Sequence, residues 1–167
     1  MHTKSLTTVV EQLAELFTQT KQQLTVAESC TGGWVAKVLT DLAGSSVWFE
    51  RGFVTYSNRS KHEMLGVAES TLKTYGAVSQ ETVEEMALGA LQNSHANFSV
   101  SISGIAGPGG GSADKPVGLV WFAWAHKTEI DEQVIASEQK NFNGDRDAIR
   151  QQAVVYALSE LLNLISK

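Results

Sequence analysis

Apolar side chains return every three to four positions through Leu6, Val9, Val10, Leu13, Ala14 and Phe17, so the chain is expected to open with an amphipathic helix. An uninterrupted apolar run over 24–27 is a strand candidate. A second helical stripe begins around Gly32 and runs through Val35, Val38, Leu39 and Leu42, with Gly44 placed to close it in the left-handed conformation. Aromatic and β-branched residues crowd 47–57, which predicts one bent strand or a hairpin. Residues 59–65 read as a helix. Ser79 is a natural N-cap, with Glu81, Glu84 and Glu85 at the positive end of the helix that follows. Its buried stripe is Val83, Met86, Ala87, Ala90 and Leu91. Val100 and Ile102 alternate with Ser99, Ser101 and Ser103, as in a half-buried strand. Residues 119–125 are apolar on both faces, which suits a central strand, and 130–136 pair with it across a turn at 126–129. The last helix starts near Asp145 and buries Ile149, Ala153, Tyr156 and Ala157. Helices alternate with strands first, and a meander follows. The expected fold is therefore α/β: a three-layer α/β/α sandwich with a mixed β-sheet, one domain over 1–167.

The one break in this pattern is 104–116, which holds both prolines and five of the 14 glycines. Strong apolar segments flank it closely, so it reads as a loop inside the domain. The chain's 167 residues carry 13 basic and 18 acidic side chains, a net charge of −5. That balance argues against a nucleic-acid or membrane-surface partner held by bulk charge. Cys30 is the single cysteine, so no internal disulfide or Cys-rich zinc site is expected, and His2, His62, His95 and His126 show no ligand spacing. No apolar core follows a basic start and no run is long enough for a bilayer, so a cytoplasmic protein is the expectation.

Two segments carry candidate chemistry. Ala27-Glu28-Ser29-Cys30-Thr31-Gly32-Gly33 joins a strand to a helix start, which is where α/β sheets place ligands. Backbone N–H groups at Thr31, Gly32 and Gly33 point out of such a start and favour negative charge. They could hold a substrate phosphate, or an oxyanion formed when Ser29 attacks a carbonyl. A plain helix cap by Ser29 or Thr31 fits the same residues. Cys30 is a rival nucleophile, against the ordinary reading of a small buried hydrophobe. A serine attacking an amide needs a base, and no histidine presents itself. Lys61, in Tyr56-Ser57-Asn58-Arg59-Ser60-Lys61, serves if desolvation or a cationic neighbour such as Arg59 lowers its pKa, with Tyr56 to hold the amine or relay a proton. A solvated surface lysine fits the spacing equally well. The loop Gly104-Ile105-Ala106-Gly107-Pro108-Gly109-Gly110-Gly111-Ser112 ends in no Gly-Lys-Ser/Thr and opens no helix, so it is neither a Walker loop nor a dinucleotide fingerprint. It either wraps a nucleotide through its amides or simply turns the chain. Arg146, at the last helix start, could clamp a phosphate or lie on the surface.

Taken together and in this order, Ala27-Glu28-Ser29-Cys30-Thr31-Gly32-Gly33, Tyr56-Ser57-Asn58 with Lys61, Gly76-Ala77-Val78-Ser79, Gly104 to Gly111, Lys115-Pro116-Val117-Gly118 and Gly144-Asp145-Arg146 resemble the C-terminal domain of the competence-damage-inducible (CinA) proteins. The resemblance spans nearly the whole chain and corresponds to the form without the large N-terminal nucleotide-pyrophosphatase-type domain. It implies hydrolysis of the carboxamide of nicotinamide mononucleotide to nicotinic acid mononucleotide and ammonia, in pyridine nucleotide recycling. By position, Ser29 is the nucleophile and Lys61 the general base, with Tyr56 assisting. Thr31, Gly32 and Gly33 supply oxyanion amides. Cys30, Asn58, Ser103, Gly104, Ile105, Ala106, Gly107 and Arg146 contact the substrate. No metal or cofactor is implied, and the family suggests a homo-oligomer, a homodimer first; Trp48 and Phe49 are interface candidates if exposed, with burial in the core the expected fate of each. Two positions depart from the family pattern: Ser103 replaces a usual threonine and keeps its hydroxyl, and Arg51 replaces a common glycine in the expected hairpin. The competing expectation is a non-catalytic nucleotide-binding module linked to competence or stress response.

Overall fold

A five-stranded sheet in the order β2-β1-β3-β4-β5 organises the computed structural model, which describes residues 5–167. The chain runs α1 (Leu6–Thr20), β1 (Leu24–Glu28), α2 (Trp34–Thr40), a 3-10 turn (Ser45–Val47), β2 (Phe49–Val54), α3 (Asn58–Leu65), α4 (Glu69–Tyr75) and α5 (Gln80–Gln92). It continues with β3 (Phe98–Gly104), β4 (Leu119–Lys127), β5 (Glu132–Asn141) and α6 (Arg146–Ile165). β1 is parallel to β2 and β3, whereas β3-β4-β5 is an antiparallel meander, so the sheet is mixed as expected.

Side-chain alternation along the strands builds the three layers. Leu24 and Val26 of β1, Val100 and Ile102 of β3, and Val120, Phe122 and Trp124 of β4 face one side, where they pack with α1, α2 and α6 around Leu13, Phe17, Val35, Leu39 and Ala157. Ala27, Ala123 and Ala125 face the other, against Val83, Met86, Ala87, Ala90 and Leu91 of α5. Small residues on that face let α5 lie close to the sheet.

Several expectations need correction. Of the two readings of 47–57, the single strand holds and the hairpin does not: β2 is one edge strand, and Arg51 on it pairs with Glu50 and donates to the Asn93 carbonyl. Helix α2 stops at Thr40, and Gly44 (φ +86°) instead precedes the 3-10 turn. Helix α4 was not anticipated, because none of its residues is buried and so no apolar stripe announces it. β3 is not half-buried but the middle strand, covered on both faces. Its serines enter the core because the hydroxyls of Ser99 and Ser101 donate to the Ala87 and Val83 carbonyls of α5 at 2.7 and 2.6 Å. β4, paired to β3 on one edge and β5 on the other, is the expected interior strand. β5 runs five residues past the expected end, to Asn141, and its turn falls at 128–131, since a partly exposed edge strand carries only a weak apolar period. Glu84 and Glu85 serve neighbours rather than the helix dipole: Glu84 accepts from Ser137, Glu85 from the Ala68 amide and the Thr71 hydroxyl. Tyr156 is only partly buried, and its hydroxyl donates to Glu138. As expected, Trp48 is a core residue, stacked on Phe17, and Phe49 packs against the core, so neither offers an exposed interface. His2 lies outside the described residues.

Candidate active site

The helix that follows β1 covers one face of the sheet, while the helices between β2 and β3 cover the other. Such a reversal opens a crevice at the carboxyl ends of the strands. The ends are tied in register: the Ser29 N–H donates to the Ile102 carbonyl at 3.0 Å, and the Thr55 N–H to the Glu28 carbonyl at 2.8 Å. Ser29 thus sits on a continuation of the β-ladder, with its hydroxyl at the foot of the crevice.

Lys61 arrives from α3. Ser57 and Ser60 form a reciprocal capping box that starts this helix, and Lys61 and Leu65 share its buried face. Gly89 of α5 makes the approach possible, since a Cβ there would meet the Leu65 carbonyl oxygen at 1.9 Å. The Lys61 side chain is 1% exposed. Its amine donates to the Ser29 hydroxyl at 2.9 Å, the Thr55 carbonyl at 2.8 Å and the Tyr56 carbonyl at 3.4 Å. No carboxylate is among these partners, so burial goes uncompensated and lowers the pKa from 10.5 to about 8. About a tenth of the amine is then neutral at pH 7, with a lone pair directed at a serine hydroxyl. Arg59 has no part in this shift; it pairs with Glu63 at 2.6 Å on the exposed side of α3.

The crevice widens into a cleft of about 270 Å³ lined by Ser29, Cys30, Tyr56 and Lys61, by Ala77 and Val78 from the α4–α5 corner, by Ser103, Gly104, Ile105, Ala106, Gly107, Gly109 and Gly110, and by Arg146. Most of the expected site residues therefore do converge. Loop 104–116 does form one wall, and Arg146 is bound to it, donating to the Gly107 carbonyl at 2.7 Å. Asp145 caps α6 through the Ala148 amide and so sets where Arg146 leaves the helix.

Three assignments do not fit this geometry. Thr31, Gly32 and Gly33 are not on the cleft wall; the Gly32 N–H donates to the Ser29 carbonyl and the Trp34 N–H to the Thr31 carbonyl, each at 3.1 Å, and the amides of Val35 and Ala36 donate to the Glu28 carboxylate at 2.9 and 3.1 Å. The start of α2 is filled by the protein's own carboxylate. Asn58 is exposed in the first turn of α3, also off the wall. The Tyr56 hydroxyl accepts from Arg146 at 3.0 Å rather than reaching Lys61, which contacts only the Tyr56 backbone. Cys30 lines the cleft, but burial pushes its thiol up to about 11, so it stays protonated and poorly nucleophilic at neutral pH. Ser29 is the group with a base in contact.

Sequence reasoning missed Glu28, Thr55, Gly89 and Arg150. For Glu28 a signal existed: a carboxylate closing an apolar strand is buried, and a buried carboxylate requires donors nearby. Among the described residues no group of three or more His, Cys, Asp or Glu side chains is placed to hold a metal ion, and no helix is long and apolar enough to cross a membrane.

Fold and site together define an α/β protein with a buried serine–lysine pair at the carboxyl end of its parallel strands. The chain belongs to the CinA C-terminal domain family, which it matches over residues 6–165. It is 58% identical over 151 residues to the nicotinamide-nucleotide amidohydrolase PncC of Escherichia coli (strain K12), covering 90% of this chain and 89% of that one. It is 50% identical over 159 residues to the protein of that name from Pseudomonas putida, covering 95% and 96%. The crystal structure of the competence/damage inducible protein CihA from Agrobacterium tumefaciens matches with a TM-score of 0.92 at 43% identity, covering 99% of this chain and 98% of that one.

Proposed function

We propose that the protein is a nicotinamide-nucleotide amidase that hydrolyses the carboxamide of nicotinamide mononucleotide by a serine–lysine mechanism. The observation that carries this reading is the 2.9 Å contact between two buried groups, the Lys61 amine and the Ser29 hydroxyl, at the foot of an open cleft. Neutral Lys61 accepts the hydroxyl proton as Ser29 Oγ bonds to the carboxamide carbon. The tetrahedral intermediate collapses when Lys61 returns that proton to the departing nitrogen, and ammonia leaves a nicotinoyl ester on Ser29. Water then adds to the ester carbon, giving its proton to Lys61. Collapse regenerates the serine hydroxyl and releases the acid. Thr55 and Tyr56 carbonyls hold the amine in place through both half-reactions. Arg146, exposed beside the cleft, is the cation for the substrate phosphate, and residues 104–107 form the wall offered to the ribose.

The relatives' shared name supports the substrate, and the cleft supports the chemistry. Ammonia release from the mononucleotide by wild type and Ser29→Ala tests both at once: a loss of three orders of magnitude or more is expected, with Cys30→Ala close to wild type. Retained turnover in Ser29→Ala overturns the nucleophile. Binding without turnover in wild type makes the domain a nucleotide-binding module.

A further inference from the structure

Arg150 stands one turn beyond Arg146 on α6 and reaches the far side of the nucleophile turn. Its Nε donates to the Cys30 carbonyl at 3.0 Å and its Nη2 to the Thr31 carbonyl at 3.0 Å. The same guanidinium lies over the Trp34 ring, 5.2 Å from its centroid. It therefore binds the two residues after Ser29 and stacks on the first residue of α2. That stretch needs a clamp, because Gly32 (φ +60°) and Gly33 (φ +101°) interrupt it and contribute no side chain to hold it. A Cβ at Gly32 would meet the guanidinium at an ordinary 3.5 Å, so it is the left-handed backbone, not space, that favours glycine there.

We propose that Arg150 is a positioning residue that holds the Ser29 hydroxyl at reacting distance from Lys61. The clamp rests on the amidase reading only for its natural substrate; it acts on the nucleophile whatever the acyl donor. Two carbonyls at a set spacing, with an aromatic face beneath, require a planar fork of donors. An ammonium at the same position supplies charge without the second bond or the stacking. Arg150 is absent from the cleft wall, so it does not bind substrate. Nor is it among the Lys61 hydrogen-bond partners, so the amine's titration is left to burial.

The test compares wild type, Arg150→Lys, Arg150→Ala and Trp34→Leu. Ammonia release from the mononucleotide is followed against pH, and Ser29 labelling by a small fluorophosphonate is timed in parallel, with thermal denaturation run on each variant. A displaced nucleophile costs roughly 10–100-fold in turnover. The expected result is that loss in kcat and in labelling rate for Arg150→Lys and Arg150→Ala, an unchanged KM, an unchanged pH midpoint, and partial recovery of Arg150→Ala by added guanidinium ion. Trp34→Leu, which keeps both carbonyl bonds, loses less. Folded variants with wild-type kcat and labelling overturn the proposal. So does a loss that follows only the folded fraction, or one confined to KM. Wild type that labels at Ser29 without releasing ammonia removes the amidase reading but leaves Arg150 to be judged on labelling. Wild type that does neither overturns both.

Discussion

Lys61 works in the core at a cost that can be measured. Its pKa falls from 10.5 to about 8 because burial disfavours the charged form. Below pH 8 both folded and unfolded chains carry the proton, and the folded state bears the whole penalty, about 3 kcal/mol from the size of the shift. Between 8 and 10.5 the unfolded chain still holds the proton that the folded chain has released, so stability climbs with pH across that window. Methionine has a side chain of similar length and no charge to bury, and Lys61→Met escapes the penalty. It also leaves the buried Thr55 carbonyl without its donor, which costs about 1–3 kcal/mol. At pH 7 the two effects nearly offset, and the pH dependence is the cleaner quantity. The stability of Lys61→Met minus that of wild type should fall by about 2 kcal/mol between pH 7 and pH 10. Groups that titrate alike in both proteins cancel from the difference. Urea denaturation of both at each pH gives the number, and a difference that does not move, or that grows with pH, would refute the depressed amine and with it the base.

The same shift predicts that turnover rises about tenfold per pH unit below 7 and levels off above about 8 in a kcat–pH profile; a plateau already reached at pH 6 would exclude Lys61 as the group that must lose its proton. Gly89→Ala drives a methyl group into the Leu65 carbonyl, so urea curves should show a loss of about 1–3 kcal/mol, with turnover falling because α3 carries Lys61. Arg146→Ala should raise KM for the mononucleotide far more than for its dephosphorylated riboside; equal effects would remove Arg146 from the phosphate.

The fold was largely legible because apolar period and capping chemistry agreed along most of the chain. Ser79 and Asp145 cap the helices they were expected to cap, and the α5 stripe is buried in full. Where reading failed, the deciding contact was distant in sequence. Alternating serines imply a wet face until Ser99 and Ser101 find carbonyls on α5. The Ser29–Lys61 pair was named through family resemblance, since nothing local separates Lys61 from an ordinary surface lysine. Its partners Thr55 and Tyr56 act through backbone oxygens, which side-chain identity does not advertise. The oxyanion expectation for 31–33 meets a Gly32 N–H already bonded to the Ser29 carbonyl, while Glu28, seven and eight residues before the amides it binds, takes those of Val35 and Ala36.

That internal carboxylate has a further effect on traffic through the cleft. Positive ends of helices beside a reactive serine are natural berths for passing anions. With its berth already taken, the protein gives an incoming phosphoester no reason to dock beside Ser29. On the proposed function, the anionic head is left to the Arg146 guanidinium at the rim. On that same reading, Glu28 acts as a direction sign, leaving the carboxamide end of the substrate to turn inward without ever touching it.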